Sequence, residues 1–263
     1  MIRLIGIDVD GTLVGSSGQV AAAVWQAAEQ ARAAGVRLAL CSGRPAFGTA
    51  LEYARQLDDG GWHIFQNGAS IVHLNSKESR STPLPQQVVS GLIAEARASN
   101  RILELYSDSE YAVESTATWS REHAELLGLP FEPRPLETLQ GPVVRAQWVV
   151  SPAVAALIKT PHGLEMAVST SPLMPDARFV GLTRAGVSKG SAMTQIAAAY
   201  QIDLRDVMYV GDSGNDLPAL GVVGHPIAMG NADAAVIAAA GQTIGHVENG
   251  GLADALLIAA RSR

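Results

Sequence analysis

Apolar residues fall into short runs separated by longer stretches of helical spacing. Leu4, Ile5 and Ile7 form the first run, and Gly11 ends it among polar residues. That pattern predicts a short buried strand followed by a turn. Residues 20–34 are rich in Ala, with Gln26, Glu29, Gln30 and Arg32 as a polar face and Gly35 behind them. They predict a helix with a glycine C-cap. A second apolar run, 36–41, leads into Ser42, Gly43, Arg44 and Pro45 and then a helical stretch to residue 57. Strand, helix, strand, helix implies parallel pairing through right-handed crossovers.

The alternation breaks at 62–66 and 71–74, two short runs joined through Asn67-Gly68, a hairpin signal. The pattern then predicts helices at 86–99, 118–127 and 152–159. Between them it predicts strands at 102–106, 111–113, 143–150, 164–169 and 178–183, with a Pro-rich link at 130–135. About a hundred residues suffice for a separate domain. Strict alternation resumes with a helix at 189–201 and a strand at 207–210, then a short helix from Leu217. A strand at 225–229 and helices at 232–240 and 252–261 follow. The expected fold is α/β: a Rossmann-like parallel-sheet core of residues 1–83 and 185–263, with an α+β domain inserted as 84–184.

Composition narrows the class. The 263 residues are 48% hydrophobic and 17% charged, which suits a globular chain with a substantial core. With 19 basic and 25 acidic residues the net charge is −6, and no polybasic block invites nucleic acid or anionic lipid. Any anionic ligand must be held by a local cluster of positive groups. A lone cysteine, Cys41, excludes an internal disulfide, and its place in an apolar run reads as core. No secretory leader pattern and no membrane-length apolar run is present, so the expected location is the cytoplasm.

Candidate chemistry gathers at strand ends. Asp8 and Asp10 follow the first strand, where alternate residues of an extended chain point the same way. In an open parallel sheet, ligands bind beyond the carboxyl ends of the strands. Two acids so placed favour a metal ion between them or a proton on one. Ser42 ends the second strand at a helix start, where it can serve as a plain cap or offer a hydroxyl and free amides to an anion. Lys189 opens a later helix, and Asp212, Asn215 and Asp216 follow the 207–210 strand. This oxygen-rich set lacks His and Cys, so it suits Mg²⁺ rather than zinc. A lysine, a hydroxyl and backbone amides beside Mg²⁺ suit a phosphate. Asp8 can then act as an in-line nucleophile, and Asp10 can protonate the leaving alcohol, given a pKa raised by neighbouring negative charge.

Four segments carry a resemblance: Asp8-Val9-Asp10-Gly11-Thr12-Leu13, Ser42-Gly43-Arg44, Val187-Ser188-Lys189-Gly190, and Gly211-Asp212-Ser213-Gly214-Asn215-Asp216. In this order they resemble the motifs of the haloacid dehalogenase superfamily. The Asn67-Gly68-Ala69 segment, the long insertion and Met229-Gly230-Asn231-Ala232 resemble its Cof-type phosphatases, which carry an α/β cap. The resemblance implies that Asp8 is nucleophile and Mg²⁺ ligand, and that Asp10 is general acid and base and binds the metal through its carbonyl. It implies that Ser42, Lys189 and the Gly43 amide hold the phosphoryl group, that Asn215 contacts it, and that Asp212 is the third protein ligand. Asp216 would support the metal or the lysine. Arg44 also matches the motif, either on phosphate or in a salt bridge at the helix start.

The implied activity is a Mg²⁺-dependent phosphatase of small phosphomonoesters, working through an aspartyl-phosphate on Asp8. Asp at position 10 separates the chain from ion-pumping relatives, which carry Thr there, and from dehalogenases, which lack the acid. A phosphosugar mutase and a non-catalytic phosphometabolite-binding protein stay open as alternatives. The 211–216 segment also resembles sucrose-phosphate and mannosyl-phosphoglycerate phosphatases, which implies a sugar phosphate as substrate. The expected partner is therefore a small phosphorylated metabolite, with no nucleic acid and no membrane, and with monomer and dimer both open. Substrate choice would lie in the insertion, where Glu104, Tyr106, Glu165, Met166 and Arg184 are positional candidates. Trp148 reads as core packing, and the six histidines as loop or surface residues.

Overall fold

β1 (Leu4–Ile7) is buried at all four positions, as a strand covered on both faces by helices requires. The computed structural model describes residues 1–171 and 173–262. After β1 come α1 (Ala22–Ala33), β2 (Arg37–Leu40), α2 (Thr49–Asp58) and the antiparallel pair β3 (Trp62–Phe65) and β4 (Ser70–His73). The inserted segment supplies α3 (Gln86–Ser99), β5 (Ile102–Tyr106), β6 (Tyr111–Val113) and α4 (Thr118–Leu126). It continues with β7 (Arg145–Val150), α5 (Pro152–Ala155), β8 (Leu164–Ser171) and β9 (Met174–Arg184). The chain then returns through α6 (Lys189–Ala199), β10 (Val207–Gly211), α7 (Leu217–Leu220), β11 (His225–Ala228), α8 (Ala234–Ala239), β12 (Gln242–Thr243) and α9 (Leu252–Arg261).

Five strands form a parallel sheet in the order β12-β11-β10-β1-β2. Ile5, Ile7, Leu38, Leu40, Met208 and Val210 face α1, α2 and α9 on one side. Leu4, Ala39, Val207 and Tyr209 meet α6, α7 and α8 on the other. Two apolar faces on one central strand explain its unbroken hydrophobic run. Because β1 lies between β2 and β10, the segments after all three strands emerge side by side.

The second sheet is antiparallel, in the order β6-β5-β7-β9-β8. Strand alternation divides its residues cleanly. Leu103, Leu105, Ala146, Trp148, Val150, Val180 and Leu182 pack against α3 and α5. Glu104, Tyr106, Arg145, Gln147, Phe179 and Gly181 occupy the alternate positions on the opposite face. Trp148 is core, as expected. The 107–110 turn ties this sheet to the hairpin of the other unit: the Asp108 carboxylate accepts hydroxyls from Ser70 at 2.5 Å, Ser79 at 2.6 Å and Ser81 at 2.7 Å.

Three expectations change. The helix expected at 152–159 stops at Ala155, and tighter turns follow toward Pro161, which disfavours helical geometry in the residue before it. The strand expected at 178–183 runs from Met174 to Arg184, because its pairing with β8 continues in both directions. Two histidines expected in loop or surface positions are buried instead. His63 lies on β3 with no exposed surface, and His123 lies on α4, 5% exposed.

His63 joins three elements. Its Nδ1 accepts the Leu40 amide at 3.0 Å, so its Nε2 carries the proton and donates to the Asp58 carbonyl at 2.8 Å. Burial holds the ring neutral and pulls its pKa down from 6.5 to about 4. The unfolded chain therefore takes up this proton first as pH falls, and folding weakens through that window. We predict that His63 removes about 3 kcal/mol of stability between pH 6.5 and pH 4, with no contribution above that range. Urea unfolding of wild type and His63→Gln across pH should show this component in the wild type alone.

Candidate active site

The first motif lies directly beyond β1. The Asp8 amide donates to the Val210 carbonyl at 3.0 Å, extending the β1 pairing by one residue and setting the carboxylate at the sheet's edge. Gly11 follows with φ +86°, and a Cβ there would stand 2.2 Å from the Asp212 carboxylate. Only glycine permits both the left-handed turn and this close approach. The turn is pinned from far along the chain: Asn231 Nδ2 donates to the Gly11 carbonyl at 2.7 Å, and its Oδ1 accepts the Val247 amide at 2.9 Å. That geometry gives the 229–232 segment a structural purpose its composition did not reveal.

Lys189 is the first residue of α6, whose Ser188 cap exchanges hydrogen bonds with Ser191. Its buried ammonium donates to Asp8 Oδ1 at 2.5 Å and Asp216 Oδ1 at 2.6 Å. Asp216 is saturated: its carboxylate also accepts the Tyr209 hydroxyl at 2.7 Å and the amides of Asp212 and Ser213 at 3.0 and 3.1 Å. Thr12 donates to Asp212 at 3.4 Å. Oxygens of Asp8, Asp212 and Asp216 all lie within 4.8 Å of one another.

Three carboxylates beside one ammonium leave about two negative charges uncompensated if all are ionised. The effect on proton affinity follows. Burial, then the neighbouring Asp216, raises the Asp8 pKa well above the usual carboxylate range, with Lys189 opposing. Asp212 is pushed up to about 6, first by burial and then by Asp216. Burial works against the charge on Lys189, but Asp8 and Asp216 outweigh it and hold its pKa above the ordinary lysine value. An all-oxygen donor set with this charge deficit fits a hard divalent cation.

Asp10 is placed differently. Its side chain is 63% exposed and sits in the fork of Arg44, with Nε at 3.1 Å and NH2 at 2.5 Å. Arg44 NH1 also donates to Thr49 near the start of α2. The neighbour expected to be negative is thus a guanidinium, and of the two readings for Arg44 the structure contains the salt bridge. Ser42 is buried after β2, with its Oγ accepting the Arg44 amide at 3.0 Å. The turn between β3 and β4 meets the last motif, where Asn67 Oδ1 accepts Asn215 Nδ2 at 3.1 Å. Ser42, Gly43, Arg44, Asn67 and Asn215 from three strand ends, with Lys189 from the start of α6, therefore surround the acids.

The antiparallel sheet faces this centre across two adjoining cavities. One, of about 480 Å³, is bordered by Asp8, Asp10, Gly43 and Asn215 and, opposite them, Tyr106, His123, Arg145, Gln147 and Phe179. The other, of about 670 Å³, lies between Lys189 and β8. Among the positional candidates in the insertion, Tyr106 borders the first cavity, and Glu165 and Met166 border the second. Glu104 is fully buried behind the wall, where it accepts His123 Nδ1 at 2.9 Å, the Tyr106 hydroxyl at 2.8 Å and Gln147 Nε2 at 3.0 Å. Arg184 borders neither cavity. Arg145 and Gln147 were missed, although two polar residues at alternate positions of an otherwise apolar strand are a legible signal.

The family model for haloacid dehalogenase-like hydrolases matches residues 5–139 and 164–256. The chain belongs to this family and is a hydrolase of its Cof-type branch, in agreement with its motifs. It is 28% identical over 269 residues to the pyridoxal phosphate phosphatase YbhA of Escherichia coli, covering 92% of this chain and 93% of that one. It is 25% identical over 258 residues to the 5-amino-6-(5-phospho-D-ribitylamino)uracil phosphatase YwtE of Bacillus subtilis, covering 88% of each. A crystal structure of a haloacid dehalogenase-like hydrolase from Bacteroides thetaiotaomicron superposes with a TM-score of 0.85 at 26% identity, covering 97% of this chain and 98% of that one. Among the described residues no helix is long and apolar enough to cross a membrane.

Removing the central ammonium should expose its cost. We predict that Lys189→Met destabilises the fold by about 3–5 kcal/mol, because two buried carboxylates lose their counter-charge. Urea unfolding at neutral pH would measure it, and adding Mg²⁺ should recover part of the loss.

Proposed function

We propose that this protein is a Mg²⁺-dependent phosphatase of small phosphomonoesters, with sugar phosphates as the substrate class and Asp8 as the nucleophile. The observation that carries the proposal is the Asp8 carboxylate held by buried Lys189 beside Asp212 and Asp216, at the end of a central strand and facing a cavity. Two relatives named as phosphatases of small phosphorylated metabolites support the substrate size. Segment 84–184 serves as the cap.

In this reading Ser42, the Gly43 amide, Lys189 and Asn215 receive the phosphoryl oxygens. The Asp8 carboxylate attacks phosphorus in line. The ester P–O bond breaks, the leaving oxygen takes a proton from Asp10, and an aspartyl-phosphate remains. Water then attacks the same phosphorus while Asp10 takes its proton. The bond to Asp8 breaks, releasing phosphate and restoring the carboxylate. Acid work by Asp10 requires its pair with Arg44 to open, which frees that guanidinium for the phosphoryl group. Asp8, Asp212 and the Asp10 carbonyl would hold Mg²⁺, with Asp216 behind them. When bound, the ion neutralises charge between the carboxylates and the phosphoryl oxygens.

The test is phosphate release from a panel of sugar phosphates, nucleotides and an aryl phosphate, with and without Mg²⁺. Wild type should release phosphate only with the metal, and Asp8→Asn should lower kcat by about ten-thousandfold or more. A metal-loaded wild type inert across the panel would overturn the proposal. Transfer to a second sugar hydroxyl instead of water would identify a mutase.

A further inference from the structure

Arg145 is the cationic side chain that the cap face presents to both cavities. Its NH1 donates to the Gly43 carbonyl and to Gln66 Oε1, each at 3.0 Å, and its NH2 donates to Gln147 Oε1. A guanidinium has five N–H groups. Two of them, one on Nε and one on NH2, have no acceptor among the described residues, and the side chain makes no salt bridge there.

The surroundings are arranged for this one side chain at local expense. Gln66 is fully buried, with φ +52°, and Asn67 beside it has φ +56°. Consecutive left-handed residues other than glycine are costly and persist where the surroundings demand them. Arginine can only donate, so Gln66 must turn its oxygen toward it. Its Nε2 is then left buried without a partner. On the neighbouring strand Gly181 stands opposite Gln147, and a Cβ there would lie 3.0 Å from Arg145 Nε and 3.1 Å from NH2. The guanidinium lies in the space a side chain would fill. Its contact with Gly43 sets it against the loop that carries Ser42.

We propose that Arg145 is the residue that selects the leaving group, its two free N–H donors taking a hydroxyl oxygen close to the phosphoester. This rests on the phosphatase reading and names the feature the substrate must carry. A neutral hydroxylated leaving group fits better than an acidic one. Glu104 already stands behind Gln147 with a full negative charge to set against Arg145, and the clustered aspartates lie across the cavity. The rest of the wall on this side offers hydroxyls and apolar surface from Ser169, Thr170, Tyr106, Phe179, Leu126 and Leu127, with His123 held by Glu104.

Three probes with the same three-carbon chain test this: glycerol 3-phosphate, propyl phosphate, which lacks the hydroxyls, and 3-phosphoglycerate, in which a carboxylate replaces the terminal hydroxymethyl group. Wild type should favour glycerol phosphate in kcat/KM. The ratio of glycerol phosphate to propyl phosphate should fall about tenfold or more in Arg145→Met, the size of a lost hydrogen bond to a charged donor. Gly181→Ala, which displaces the same guanidinium without altering it, should lower the ratio in the same direction. It also decides the matter if Arg145→Met does not fold. An unchanged ratio in the folded variants, or a wild-type preference for 3-phosphoglycerate, would overturn the proposal. Calorimetric binding of the same probes separates it from the phosphatase reading. If wild type turns over none of them, the ratio of dissociation constants in wild type and variants still decides for or against Arg145, and the phosphatase reading stands or falls on the broader panel.

Discussion

The structure around the candidate active site depends on one buried ammonium. Lys189 reaches from the start of α6 to two carboxylates on different strands, Asp8 after β1 and Asp216 after β10. An isolated charge in that place would be prohibitive, and two acids without it would not ionise together. The surrounding detail serves this contact. Tyr209 and two backbone amides saturate Asp216, Thr12 holds Asp212, and Gly11 lacks the Cβ that would strike Asp212. The negative charge left over fits a hard divalent cation, and it is the physical link between fold and chemistry.

The inserted sheet answers the centre with a different device. Period-two alternation puts one apolar set under α3 and α5, while the other face carries the polar residues beside a second apolar cluster of Ile102, Val113, Val149 and Phe179. The polar set is a chain of contacts running from Glu104 and its three donors through Gln147 and Arg145 to Gly43 and Gln66. Asp108 adds three serine hydroxyls at the other junction. The two units are thus joined at two polar points, with an apolar contact of Ala69, Val144 and Val187 as well, a geometry suited to holding a cap in register.

Much of this was legible in the chain. β1 and β10 are short apolar runs that stop at Gly or Asp, so the positions of Asp8, Asp10, Asp212 and Asp216 at strand ends follow from local pattern. The same holds for Lys189 after the Ser188 cap. What escaped was long-range. Nothing local shows that Asp10 sits against Arg44, 34 residues on, or that Asn231 secures Gly11, 220 residues away. His63 and His123 read as surface residues because a histidine's polarity suggests solvent, whereas here each is buried against specific partners on other elements.

The sequence by itself determined the strand and helix order, the parallel core interrupted by an insertion, the residue types at each strand end and the family. These depend on periodicity and on motifs within a few residues, which local sterics and hydrophobic patterning decide. Only the tertiary structure decided which charges are paired, which polar groups are buried, and that the cap turns Arg145 toward the centre. Those depend on which distant segments share a low-dielectric space, and burial there converts ordinary side chains into fixed, interacting charges.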